Sequence, residues 1–138
     1  METQQTIEQL LRQQGITPTA QRVEIAQILF ARPQHLSADQ VLSIVNAESV
    51  VASKATIYNT LGLFAEKGLV REVIVDPSKV FYDSNISNHH HFYNIDTGEL
   101  TDIALDDIQV SMMANLPDKT ELTGLDVIVR IKNPAKSQ

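Results

Sequence analysis

Over its first eighty residues the chain alternates apolar stripes at helical spacing with short polar breaks; the period then shortens to that of strands. Residues 3–14 predict a short helix that Gly15 ends. Thr17 followed by Pro18 predicts an N-cap with proline in the first turn, opening a second helix that runs to about Ala31 before Pro33 stops it. Val23, Ala26, Ile28 and Leu29 form its apolar side. Ser37-Ala-Asp-Gln40 has the spacing of a capping box and opens a third helix with Val41, Leu42 and Val45 turned inward. A connection from Glu48 to Ala52 leads to Ser53, another cap. The helix from Lys54 to Lys67 then buries Ile57, Leu61, Phe64 and Ala65, and Gly68 ends it.

Beyond that point Leu69–Val75 is rich in strand-forming residues. Asp76-Pro77-Ser78 has turn chemistry and Val80-Phe81-Tyr82 returns as a strand. Helix, short turn, helix and then a β-hairpin is the order of a winged helix-turn-helix, with the helix after Ser53 as the recognition helix. After residue 85 the pattern predicts a strand His90–Ile95, a turn Asp96-Thr97-Gly98 and a strand Glu99–Ile103. A helix Asp106–Asn115, a long strand Leu125–Ile131 and a frayed tail Asn133–Gln138 follow. The fold class predicted is therefore α+β: a winged helix-turn-helix over residues 1–84, then a small α/β unit over 85–138. Some fifty residues bury too little surface to be secure alone, so the second unit is expected to dimerise, through the strand Leu125–Ile131.

Composition changes this picture in three places. With 138 residues and 43% hydrophobic side chains, the chain can bury a real core. It has no apolar run long enough to cross a membrane, and its polar start, METQQTIEQLLRQQG, does not read as a secretory signal, so a cytoplasmic location is expected. There are no cysteines, which rules out a disulfide framework or a zinc–thiolate knot. The net charge of −6 argues against nucleic acid only until its distribution is seen. Residues 1–82 carry seven Lys/Arg against eight Asp/Glu, and residues 83–138 carry four against nine, so the acidity belongs to the second part and the first can still present a basic face.

The chemistry concentrates at His89, His90 and His91, three of the four histidines; the fourth, His35, precedes the third helix. In a strand His89 and His91 point one way and His90 the other, so two imidazoles on one face can chelate an ion. Asp83, Asp96 and Asp102 stand nearby in sequence. The competing reading of the run is a solvated polar turn. On the recognition helix, Lys54 and Thr56 can reach phosphates, Asn59 matches an adenine edge, and Tyr58 can touch a thymine methyl or a phosphate. Arg22 and Arg71 could add backbone contacts. These residues allow a DNA-binding regulator with a ligand-sensing site, a metal-dependent hydrolase, or a plain interaction module.

Ile16-Thr-Pro-Thr-Ala-Gln-Arg22, His35-Leu-Ser-Ala38, Ala55-Thr-Ile-Tyr-Asn-Thr-Leu61, Gly68-Leu-Val-Arg-Glu72 and the histidine run together resemble the ferric uptake regulator family, in that family's order from about residue 10 to 131. The resemblance implies a homodimeric, metal-responsive DNA-binding repressor acting on a palindromic operator. It implies a sensing site at His35, Asp83, His89, His91 and Asp102 holding one divalent Fe, Mn or Zn ion per subunit. Aspartates at both acidic positions look like the peroxide-sensing branch. Two features depart from the family pattern: Asn94 and Thr97 stand where a Cys-x-x-Cys would supply structural zinc, and Asn88, Gln109 and Leu125 stand where a further inter-domain site would need ligands. The triple histidine, the lack of cysteine, Asn115-Leu-Pro117 and Asp126-Val-Ile-Val-Arg130 resemble the iron response regulator subgroup, which implies control of iron and haem genes and haem ligation at His89, His90 and His91.

Overall fold

A computed structural model describes residues 6–135; residues 3–5 of the first predicted helix and 136–138 of the predicted frayed tail lie outside the described residues. The chain forms two compact units, Met1–Ile86 and Ser87–Gln138.

In the first unit, helix α1 spans Ile7–Gln13 and α2 spans Ala20–Leu29. Strand β1 (His35–Ser37) leads into α3 (Ala38–Val45), and α4 (Lys54–Glu66) precedes strands β2 (Arg71–Asp76) and β3 (Lys79–Asp83). Each helix begins on a hydroxyl that takes an otherwise unsatisfied backbone N–H. Thr6 and Gln9 form a capping box on α1, and Ser37 and Gln40 form the expected one on α3. Ser53 accepts from the Thr56 amide on α4. The cap of α2 is Thr19 rather than Thr17: its hydroxyl takes the Arg22 amide at 3.2 Å, so Pro18 precedes the helix instead of starting it. Helix α2 also stops at Leu29, short of Ala31.

Leu11, Ile25, Leu29, Val41, Ile57, Leu61 and Phe64 lose all solvent exposure and form the centre of one core. Each contributes roughly 1.5–3 kcal/mol from burial. Ile25 belongs to this core although the α2 pattern did not mark it. Gly68, at φ +75°, ends α4 in a left-handed turn that only glycine adopts cheaply. The sheet has the order β1-β3-β2, all antiparallel, and β1 is too short to show a strand period in sequence. At the β2–β3 turn the Ser78 hydroxyl and amide donate to Asp76, holding that carboxyl below its usual range.

The second unit is a three-stranded sheet of order β5-β4-β6, from β4 (His90–Asn94), β5 (Leu100–Ile103) and β6 (Ile128–Ile131). The β4–β5 hairpin turns through Gly98, at φ +73°, whereas β6 runs parallel to β4. The predicted helix Asp106–Asn115 does not form: a single 3-10 turn, Leu105–Asp107, is followed by Ile108 in an extended conformation. Ile108 and Val110 are β-branched, and Val110, Met112 and Met113 are exposed, so no apolar face is buried to stabilise a short helix. The last strand is correspondingly shorter than Leu125–Ile131. No helix among the described residues is long and apolar enough to cross a membrane.

Tyr82 is buried on β3 with Glu72 directly opposite on β2; burial first, then the Glu72 carboxylate, then Tyr58, push its hydroxyl above the ordinary value of 10.0. Folding therefore favours the protonated phenol. That stability is complete below the ordinary value and is lost as pH rises through the raised one. Urea unfolding above about pH 10 should show an alkaline loss of stability that is smaller in Tyr82→Phe; an identical pH dependence in both proteins would contradict this assignment.

Candidate metal centre and nucleic-acid interface

Each unit places candidate ligands on neighbouring strands. In the first, His35 opens β1 and pairs in register with Asp83 at the end of β3. Asp83 is 1% exposed and its carboxylate accepts the Asn85 amide at 2.9 Å. A carboxylate this deep requires compensation by donors or a cation. The flanking residues are tied together: the Gln34 amide donates to the Ser84 hydroxyl at 3.1 Å, and the Ser84 amide donates to the Gln34 carbonyl at 3.1 Å. The Gln34 side chain donates to the Ile28 carbonyl at 2.7 Å, anchoring the start of β1 to the end of α2. Neither Gln34 nor Ser84 carries a motif, and only three-dimensional pairing reveals them.

In the second unit, His91 on β4 pairs in register with Asp102 on β5, and His89 lies one residue before β4. One Asp102 oxygen, Oδ1, is 3.5 Å from His89 Nε2 and 3.4 Å from His91 Nε2, and the two rings are 4.6 Å apart. His89 Nδ1 lies 2.7 Å from the Ser87 carbonyl oxygen. A carbonyl can only accept, so Nδ1 carries a hydrogen and Nε2 of the neutral ring presents a lone pair. That lone pair faces a carboxylate oxygen. Two acceptors at this separation require a positive charge between them, a proton or a metal ion. A backbone carbonyl orienting the far nitrogen is also how metal-binding histidines are commonly held.

His90 points the other way, as strand alternation predicts, and its Nδ1 accepts the Val127 amide at 3.1 Å. All three histidines of the run are buried, which removes the solvated-turn reading. Asp96 is used elsewhere: its carboxylate accepts the Asn133 amide at 2.9 Å. Asn94, at one of the positions where cysteine would hold zinc, accepts the Asp96 and Thr97 amides and donates to the Asn133 side chain, closing this end of the sheet with hydrogen bonds.

On α4, Tyr58 is 44% exposed and Asn59 lies open beside it, while Ile57, Thr60 and Leu61 face the core. Lys54 is exposed, with its Nζ 5.8 Å from the centre of the Tyr58 ring and 3.8 Å from Asp39 on α3. Lys54, Tyr58 and Asn59 thus share one accessible helix surface. Thr56 is less available, since its hydroxyl accepts from Ser53 at 3.0 Å within the cap. Arg22 stands on α2, half-buried, with Nη1 donating to the Thr17 carbonyl at 2.8 Å. Arg71, half-buried on β2, pairs in register with Asp83.

A winged-helix unit followed by a small sheet bearing histidine and aspartate pairs defines a class: two-unit proteins with a helix suited to nucleic acid and side chains suited to a cation. The sequence profile of the ferric uptake regulator family matches residues 13–127, and the chain belongs to that family. Its members are DNA-binding regulators rather than enzymes, which removes the hydrolase reading. The chain is 35% identical over 92 residues to the peroxide-responsive repressor PerR of Staphylococcus aureus; the match covers 67% of this chain and 62% of that protein's length. The ferric uptake regulator of Pseudomonas aeruginosa, solved with manganese, superposes with a TM-score of 0.70 at 22% identity, covering 95% of this chain and all of that one. The regulator of Francisella tularensis, solved with iron, gives 0.70 at 21% identity over 86% of this chain and 92% of that one. These two structures bear on the fold alone.

Proposed function

We propose that this protein is a metal-responsive DNA-binding transcriptional regulator that acts as a homodimer on a palindromic operator. The observation that carries the metal reading is the single Asp102 oxygen that lies 3.5 Å from His89 Nε2 and 3.4 Å from His91 Nε2. A divalent ion would satisfy all three groups at once. In this reading His35 and Asp83 complete the ligand set with His89, His91 and Asp102, one ion per subunit. Three imidazoles and two carboxylates suit Fe²⁺, Mn²⁺ or Zn²⁺, and zinc would win on affinity alone. Such an ion would alter DNA affinity only as far as it prefers one of two conformations of the protein.

Control of iron and haem genes is the proposed biological setting, from the likeness to the iron response regulator subgroup. Haem at His89, His90 and His91 fits less well than a divalent ion. His90 Nδ1 accepts from Val127, and His89 and His91 are directed at a shared carboxylate rather than at an apolar plate. A peroxide-sensing repressor is the second reading, favoured by the likeness to PerR of Staphylococcus aureus. The two separate on exposing the iron-loaded protein to hydrogen peroxide and measuring retained operator affinity.

Tyr58 and Asn59 on α4 are the proposed base-reading residues, with Lys54, Thr56 and Arg22 as backbone contacts. In a dimer, two such helices read half-sites about one helical turn apart. Strand β6, at the edge of its sheet, supplies the proposed dimer contact.

Titration of metal-free protein with Mn²⁺ or Zn²⁺ should give one tight site per chain, lost in His89→Ala and in His91→Ala; unchanged affinity in both variants would refute the ligand set. Asn59→Ala should relax base preference by about 1–3 kcal/mol at one base pair, while Arg22→Ala weakens all sequences alike. A salt-matched binding series in which Asn59→Ala keeps its full sequence preference would remove the base-reading role. Sedimentation should show a dimer at micromolar concentration, and a monomer at every concentration, with and without metal, would rule out the proposed assembly.

A further inference from the structure

The middle histidine of the run, His90, has a task of its own. Strands β4 and β6 are parallel, so no tight hairpin joins them. The chain passes through β5 between them, and the segment that leads from β5 into β6, Ala104 to Val127, holds no regular structure beyond the turn Leu105–Asp107. Such a connection does not dictate which residue of β6 faces which residue of β4. The backbone ladder is repetitive and accepts neighbouring registers, yet a slip of one residue would turn every β6 side chain to the other face.

One buried side chain breaks this degeneracy at the start of the strand. The Val127 amide donates to His90 Nδ1 at 3.1 Å, and the Val127 carbonyl accepts the His91 amide at 3.2 Å. Both peptide groups of Val127 are therefore engaged by adjacent residues of the histidine run. The next pair in register is His91 with Ile128. His90 is 6% exposed, so its bond is shielded from water. An Nδ1 that accepts requires the hydrogen to be on Nε2, which leaves the neutral ring no lone pair for an ion.

We propose that His90 is a positioning residue rather than a ligand: its Nδ1 fixes the register of β6 on β4 and so anchors the backbone of His91, which carries the ion-directed imidazole. The clip is independent of any ion. Its effect on ion binding rests on the metal reading above.

The test uses the full-length, metal-free protein with backbone amide exchange at residues 128–131 as the main readout. His90→Asn keeps an acceptor near the place of Nδ1 and should keep native protection. His90→Leu removes the acceptor, and Val127→Pro removes the donor without touching the histidine. Each should speed exchange along β6 at least about tenfold, and the double variant should be no worse than either single one. In the Mn²⁺ arm, His90→Leu should still bind one ion per chain, about 10–100-fold more weakly, and His90→Asn should restore most of that affinity. Native protection in both His90→Leu and Val127→Pro would overturn the proposal, as would equal loss of protection in His90→Asn and His90→Leu. Loss of the ion from both His90 variants with β6 protection intact would make His90 a ligand instead. Because the exchange arm contains no metal, a wild-type protein that binds no ion would sink the metal reading and still leave the clip to be decided. If His90→Leu fails to fold, Val127→Pro and His90→Asn decide the matter.

Discussion

A carboxylate oxygen and an imidazole lone pair repel at close range, and the second unit is arranged so that they meet. The Ser87 carbonyl fixes the hydrogen of His89 on Nδ1, and the β4–β5 pairing sets Asp102 opposite His91. The result is one oxygen within 3.5 Å of two imidazole nitrogens. A positive charge placed there turns a costly juxtaposition into a favourable one, because attraction replaces repulsion at the same distances. Either a proton or a metal ion can supply that charge.

The two units obtain their stability differently. The first rests on an apolar centre contributed by all four helices, with hydroxyl caps at each start and a three-stranded sheet beside it. Helix α4 is held by Ile57, Leu61 and Phe64, which leaves Tyr58 and Asn59 open while the backbone stays fixed. The second unit has few fully buried apolar residues, chiefly Tyr93, Leu100 and Ile103, and relies on hydrogen bonds at the ends of its strands. Asn94, Asp96 and Asn133 close one end of the β4–β6 pair, and His90 with Val127 closes the other. In a chain without cysteine, such polar closures hold a small sheet that has neither disulfide nor zinc–thiolate to do so.

Much of this was legible before any coordinates. Local rules sufficed for the helices of the first unit, because caps and apolar stripes act over three or four residues: Ser37 with Gln40, and Ser53 before Ile57, Leu61 and Phe64, behave as their spacing predicts. The rules misplaced the cap of α2, where two threonines flank one proline and only the Thr19 hydroxyl reaches the Arg22 amide. They also predicted a helix after Asp106, because charge at a helix start is a local signal while the absence of a surface to bury against is not. Strand β1 escaped notice since three residues show no period, although it brings His35 to Asp83.

The sequence by itself determined the four helices and the β2–β3 hairpin of the first unit, the open side chains of α4, and the alternation that separates His90 from its two neighbours. It did so because each of these depends on residues close together in the chain. The tertiary structure decided which carboxylate meets which imidazole, that Asp102 serves both His89 and His91 while Asp96 is committed to Asn133, and that Val127 sits on His90. Those pairings join residues up to 37 positions apart. Strand register sets them, and no local pattern encodes it.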